Sequence, residues 1–156
     1  MAAKIKLNIV AYENINVIAF CAPMPDFRFI WHLNKKLSLN FIQTTPLDFY
    51  SNKLKQEISY SVFKSSDHPE ILFVSNRNTN STLIESLNTI DFFLIFQNVD
   101  DKEIDDWLKE IKSIKGVTIA LKLEEKYNDT FQNVLSEIEY KELKIKIENK
   151  KKNRGF

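Results

Sequence analysis

Residues 91 to 96 read DFFLIF, five large apolar side chains in a row behind one carboxylate. A run this short with no polar alternation reads as a strand buried on both faces, at the centre of a sheet. The rest of the chain has to supply its neighbours and its cover.

Residues 5 to 11 (IKLNIVA) and 15 to 21 (INVIAFC) are rich in Ile and Val and read as strands, with Tyr12-Glu13-Asn14 turning between them. Pro23 and Pro25 stop the second one. Asp26 stands where an N-cap is wanted, and residues 27 to 38 read as a helix with Phe29, Ile30, Leu33 and Leu37 on one stripe. A short strand over 40 to 43 and a loop at Pro46 follow. Residues 56 to 63 alternate, with Ile58, Tyr60 and Val62 on one face, and 70 to 75 supply a hairpin partner after the turn residues 65 to 69. The polar run from Asn76 to Ser81 reads as a loop, and 81 to 88 as a short helix.

Asp100 and Glu103 have capping-box spacing before a helix over 101 to 114, which repeats Ile104, Trp107, Leu108 and Ile111 and ends near Gly116. Residues 117 to 123 read as a strand and 129 to 139 as a third helix. In 141 to 147, Leu143, Ile145 and Ile147 alternate with lysines, the pattern of an edge strand blunted by charge. The architecture that fits is α+β: a mainly antiparallel sheet with two to three helices packed on one face, in a single two-layer domain over 1–148, followed by a basic, frayed tail over 149–156. A doubly wound α/β fold needs helices between most strands, and 41 to 76 offers none.

Composition excludes several chemistries. The chain has only two glycines, Gly116 and Gly155, so it has no phosphate-cradling glycine loop, dinucleotide fingerprint or G-x-S-x-G elbow. The formal net charge is +1, which gives no global attraction to nucleic acid or anionic lipid. One cysteine, Cys21, fits a reducing compartment, and no apolar run approaches a membrane span. With no secretory leader pattern at the N-terminus, the expectation is a cytoplasmic protein without membrane association.

Cys21, His32 and His68 are the only thiol and imidazoles, too few and too scattered for a metal site. Cys21 lies in an apolar strand and reads as core rather than as a nucleophile paired with His32. The acids from Asp100 to Asp106 lack the spacing of a calcium loop and suit a helix N-terminus. No metal, cofactor or catalytic constellation is expected. Residues 141 to 154 hold seven Lys or Arg against two Glu, so Lys150, Lys151, Lys152 and Arg154 are candidates for RNA contact. Within 24 to 41 (MPDFRFIWHLNKKLSLNF), Arg28 and Asn34 diverge by about 240° around a helix, which argues against convergent catalysis by Asp26, Arg28 and His32.

Residues 16 to 41, with Asp26, Phe27, Arg28, Trp31, Leu33 and Asn34 in order, resemble the start of the IPExxxDY family of bacterial proteins, typical of Bacteroidetes. Residues 72 to 77 (LFVSNR) resemble its strand ending in Ser-Asn, and 83 to 94 (LIESLNTIDFFL) its naming segment. The naming proline is absent, since Glu85 and Ser86 follow Ile84, and Phe92 stands where Tyr is usual. The resemblance implies a fold and no activity. It implies fold-specifying roles for Asn76 and Asp91, which bracket a loop and open a strand. The interaction candidates are Asp26, Arg28, Trp31, Asn34, Asn76, Arg77 and Asp91, with Phe49 and Tyr50 beside Trp31 as material for an exposed apolar patch. The expected function is non-enzymatic: an adapter or regulatory domain with a protein partner, or, as the alternative, an RNA-associated protein using its basic end.

Overall fold

The apolar run at 91 to 96 forms the strand Phe92–Gln97, which lies inside a six-stranded sheet with both of its faces covered. A computed structural model describes residues 14–78 and 81–153. The elements in chain order are β1 (Ile15–Cys21), α1 (Asp26–Leu37), β2 (Phe41–Gln43), β3 (Leu47–Ser51), β4 (Gln56–Tyr60), β5 (Val62–Ser65) and β6 (Ile71–Ser75). There follow β7 (Arg77–Asn78), β8 (Ser81–Thr82), β9 (Phe92–Gln97), α2 (Asp101–Lys112), β10 (Ile119–Lys122) and α3 (Asn128–Asn153).

The main sheet has the order β10-β1-β9-β6-β5-β2, and each neighbouring pair in it is antiparallel. β1 has a partner on each side: Val17 opposes Ile95 of β9, and Ala19 opposes Leu121 of β10. The expected strand over 5 to 11 and most of its turn lie outside the described residues.

Strand alternation divides the core in two. Phe92, Leu94 and Phe96 point to one face, where α1 and α2 pack through Phe29, Leu33, Ile104 and Ile111. That core is aromatic: Phe20 lies 4.8 Å from Phe29, and Phe73 lies 5.1 Å from Phe92, between ring centroids. Such pairs add about 0.5–1.5 kcal/mol beyond burial alone. Phe93 and Ile95 point to the other face, covered by Phe131, Val134, Leu135 and Ile138 of α3 and by Leu47, Ile58 and Tyr60 of the β3–β4 hairpin. The fold class is therefore the expected α+β with an antiparallel sheet and two helices on one face. The two-layer expectation, with all helices on one face, is corrected: α3 and the β3–β4 hairpin cover the second face as a third layer, because Phe93 and Ile95 present apolar side chains there as well.

Several local readings are corrected. Residues 56 to 63 are two strands rather than one: β4 pairs with β3 in a separate two-stranded sheet, and β5 joins the main sheet. Ser61 makes the break, and its carbonyl accepts the Ser75 amide at 2.9 Å. Pro46 is followed by strand rather than by an extended loop, and the helix expected over 81 to 88 is instead the short strand β8 followed by a single 3-10 turn at Glu85–Leu87. Asp26 is the first helical residue of α1, not its cap. Pro25 occupies the N-cap, and the Asp26 carboxylate accepts only the next amide, that of Phe27, at 2.6 Å. Asp100 is the N-cap of α2, but its side chain caps no amide.

The predicted edge strand over 141 to 147 is helix, a continuation of α3 to Asn153. The inward stripe of α3 reaches Ile138 and continues at helical spacing to Lys141 and Glu142. Lys141 pairs with Asp48 and Glu142 with Lys64, each at 2.9 Å. Lys, Glu and Leu are also strong helix formers, so the two-residue alternation is outweighed. The segment from Asn149 onward is likewise helical as far as Asn153.

Candidate functional site

The scarcity of glycine shapes the turns that position the surface residues. Among the described residues, left-handed backbone falls to Asn14, Ser38, Lys55 and Asn98 as well as to Gly116. Ser38 ends α1 this way, and Asn34, one turn earlier, links α1 to β2. The Asn34 carbonyl oxygen accepts the Phe41 amide at 2.7 Å, and its amide group donates to the Phe41 carbonyl at 3.4 Å. Asn34 thus has a structural task.

Asn76 has a larger one. It is fully buried and its side chain donates to the carbonyls of Leu87 (2.9 Å) and Ile90 (2.8 Å) while accepting the Ile84 amide at 2.9 Å. One amide side chain therefore ties down the whole connection from Ile84 to Ile90. Beside it, Arg77 donates from Nε to Asp91 Oδ1 and from Nη2 to the Asn88 carbonyl at 2.7 Å. The other Asp91 oxygen accepts the Ala22 amide at 2.9 Å. Asn76, Arg77 and Asp91 are joined in space, and their bonds are mostly to backbone.

Asp26, Arg77 and Asp91 line a cleft of about 410 Å³ together with Ser59, Ser61 and Ser75. The cleft has hydroxyls and carboxylates but no lining His, Cys or Lys, and Asp91 is held by Arg77. Arg28 is exposed and His32 is half-buried with its ring 5.0 Å from that of Trp31; neither lines this cleft. The arrangement of Asp26, Arg28 and His32 is therefore not convergent.

Cys21 and His32 belong to opposite faces of the sheet. Cys21 packs at the margin of the core beneath α3, half-buried, and its thiol donates to the Thr89 carbonyl at 2.9 Å. Burial pushes this thiol above its ordinary pKa. Among the described residues no group of three or more His, Cys, Asp or Glu is placed to hold a metal ion, and no helix is long and apolar enough to cross a membrane.

A second cleft, about 460 Å³, opens between α3 and the β3–β4 hairpin. Phe49, Ile58, Tyr60 and Val134 form its apolar floor, and Asn133 and Glu137 stand at its rim. Phe49 is half-buried there, and Tyr50 is exposed. Trp31 is on the opposite face of the molecule, so Trp31, Phe49 and Tyr50 do not form one patch.

The outer face of α1 has a different character. Trp31, which an amphipathic reading places at half burial, is 59% exposed, and Phe27, one turn before it, is 69% exposed. The Lys35 ammonium lies 5.1 Å from the Trp31 ring centroid, and Arg28 and Lys36 are exposed nearby on the same helix. The spacing of Phe27 from the buried stripe is shared by many ordinary surface positions, so the sequence alone does not mark it as a contact residue. Lys150, Lys151 and Lys152 lie on the last turns of α3, and Lys150 to Lys152 are exposed; Arg154 lies outside the described residues. No family model, curated protein or solved structure matches this chain.

Proposed function

We propose that this chain is a non-enzymatic protein-interaction domain that engages its partner through the outer face of α1. One observation carries the reading: Phe27 and Trp31 are both more than half exposed, one turn apart, on a helix whose opposite stripe is locked into the core. Two large aromatic side chains kept in water have no packing role. Trp and Arg are also the residues that most often dominate binding energy at interfaces. Arg28 and Lys35 make this helix face cationic, while Lys36 turns away to pair with Glu110 of α2, so the partner segment is apolar with acidic residues beside it. The family-like segments support a scaffold role: Asn76, Arg77 and Asp91 hold the sheet end together, leaving Arg28, Trp31 and Phe27 for contact.

The test is a photo-crosslinking residue in place of Lys35, whose ammonium lies 5.1 Å from the Trp31 ring centroid, used in cells in the parent chain and in the Phe27→Ser, Trp31→Ser double variant. The reading expects one dominant crosslinked species, lost in the double variant while the unfolding midpoint is unchanged. Crosslinking to no defined species, or a partner retained by the double variant, overturns it.

A further inference from the structure

α3 runs for 26 residues, roughly 39 Å, and its contacts with the body fade after the ion pairs of Lys141 and Glu142. From Leu143 to Lys152 every residue is exposed except Ile145, which is half-buried. A helix segment of this length, without packing, is marginal in water. Yet it carries a second apolar stripe. Tyr140, Leu143 and Ile147 are 41–55% exposed and recur at spacings of three and four. Taking Ile138 as facing the core, these three lie roughly 140–200° around the helix from it, on the solvent side. They are therefore not the margin of the core stripe.

We infer that α3 pairs through this stripe with α3 of a second copy, the two helices running antiparallel. The stripe is self-complementary in that orientation: Tyr140 opposes the second copy's Ile147, and Leu143 opposes the second copy's Leu143. Charge selects the direction. Glu137 and Glu139 precede the stripe, whereas Lys144, Lys146, Lys150, Lys151 and Lys152 flank or follow it. Antiparallel pairing sets Glu137 beside the second copy's Lys151 on the same flank, and symmetry repeats the contact. Parallel pairing sets Lys144 and Lys151 beside the second copy's Lys146 and Lys150, which repel. Antiparallel pairing keeps one like-charge contact, Lys144 beside its counterpart at the two-fold axis. The contact is isologous and closes at two copies. Three apolar side chains per copy fall well short of the roughly 800 Å² per partner of a tight dimer, so the association is micromolar or weaker. This inference is independent of the α1 face.

Sedimentation equilibrium on the full chain, from micromolar to near-millimolar concentration, reads the outcome. The mass is expected to rise from monomer to dimer and go no further. Leu143→Asp, at an exposed position, is expected to remain monomeric. Glu137→Lys is expected to weaken dimerisation about tenfold by breaking two symmetry-related ion pairs, and adding Lys151→Glu to restore it. Lys144→Ala is expected to tighten it. A monomer throughout overturns the inference, as does a dimer indifferent to Leu143→Asp or a charge swap that fails to restore association. A monomer that instead co-sediments with phosphatidylserine vesicles, and loses this with Leu143→Asp, overturns it in favour of an anionic membrane surface.

Discussion

Arg77 and Asp91 form an ion pair in which the two residues have unequal duties. Asp91 also accepts the Ala22 amide, whereas the other bond of Arg77 reaches the Asn88 carbonyl at the surface. Removing Arg77 leaves Asp91 half-solvated and still bonded to backbone. Removing Asp91 leaves the Ala22 amide without its partner at the entry to α1. Asp91→Ala is expected to cost about 2–3 kcal/mol and Arg77→Ala about 1 kcal/mol or less. Urea unfolding of the two variants measures the difference, and equal losses would contradict it.

Asn76 bonds three backbone groups from inside the core. Asn76→Leu keeps the volume and strands the Ile84 amide and the Ile90 carbonyl, while the Leu87 carbonyl keeps the Ile90 amide at 3.0 Å. The expected destabilisation is about 3–4 kcal/mol, with faster hydrogen exchange concentrated over residues 83 to 90. A variant within 1 kcal/mol of the parent, by an order-of-magnitude reading, would mean that the connection holds without its clamp.

The Asp48 carboxyl is held below the ordinary aspartate pKa, first by the Ser59 hydroxyl and then by the Lys141 ammonium. Lys141 is raised above the ordinary lysine value, chiefly by Asp48. A carboxyl whose pKa is depressed on folding stabilises the protein at pH above its unfolded pKa, about 3.9, and this is lost as pH falls through the lower folded value. The raised lysine acts in the opposite sense: its stabilisation is present below about pH 10.4 and is lost as pH climbs through the higher folded value. Both side chains are partly exposed, which limits the pair to about 1 kcal/mol. Asp48→Asn is expected to flatten the acid limb of stability against pH, and Lys141→Met the alkaline limb. Guanidinium unfolding across the pH range reads both slopes.

Backbone handedness gives a pair of opposed outcomes. Gly116 sits at φ 103°, where an added Cβ would stand 2.7 Å from Met24 Cε, so Gly116→Ala is expected to destabilise by about 1–2 kcal/mol. Ser38 sits at φ 52° at the end of α1, so Ser38→Gly is expected to be neutral or stabilising by up to ~1 kcal/mol. Thermal unfolding should move the two midpoints in opposite directions.

Burial was legible wherever one period ruled a segment. The stripe Phe29, Ile30, Leu33, Leu37 is buried as its spacing implies, and Phe92 to Phe96 have both faces covered. That second fact already implied a third layer, but the cover comes from β3–β4 and the start of α3, whose placement depends on the break at Ser61. No residue type marks that break, because Ser61 is an ordinary polar position within an alternating run. The 141 to 147 segment misled for a physical reason: Leu-Lys-Ile-Lys-Ile satisfies a two-residue period locally, while Lys141 and Glu142 find ion-pair partners only when the helix continues. Asn76 and Asp91 bracket one loop in the sequence, but nothing there says that Arg77 ties to Asp91 across it. The exposure of Trp31 agrees with its place among the apolar-patch residues, but its pairing with exposed Phe27 was not legible, since a helical wheel shows which side faces the core but not how far the neighbouring surface rises around it.

β1 draws its two neighbours from the latter part of the chain, Phe92–Gln97 and then Ile119–Lys122. During synthesis it therefore leaves the ribosome long before either partner does. Until those segments emerge, Val17, Ile18 and Phe20 belong to a nascent strand with both hydrogen-bonding margins bare. The sheet therefore cannot be closed from its N-terminal side until residue 122 has emerged, so its central pairings are of high sequence separation and form late.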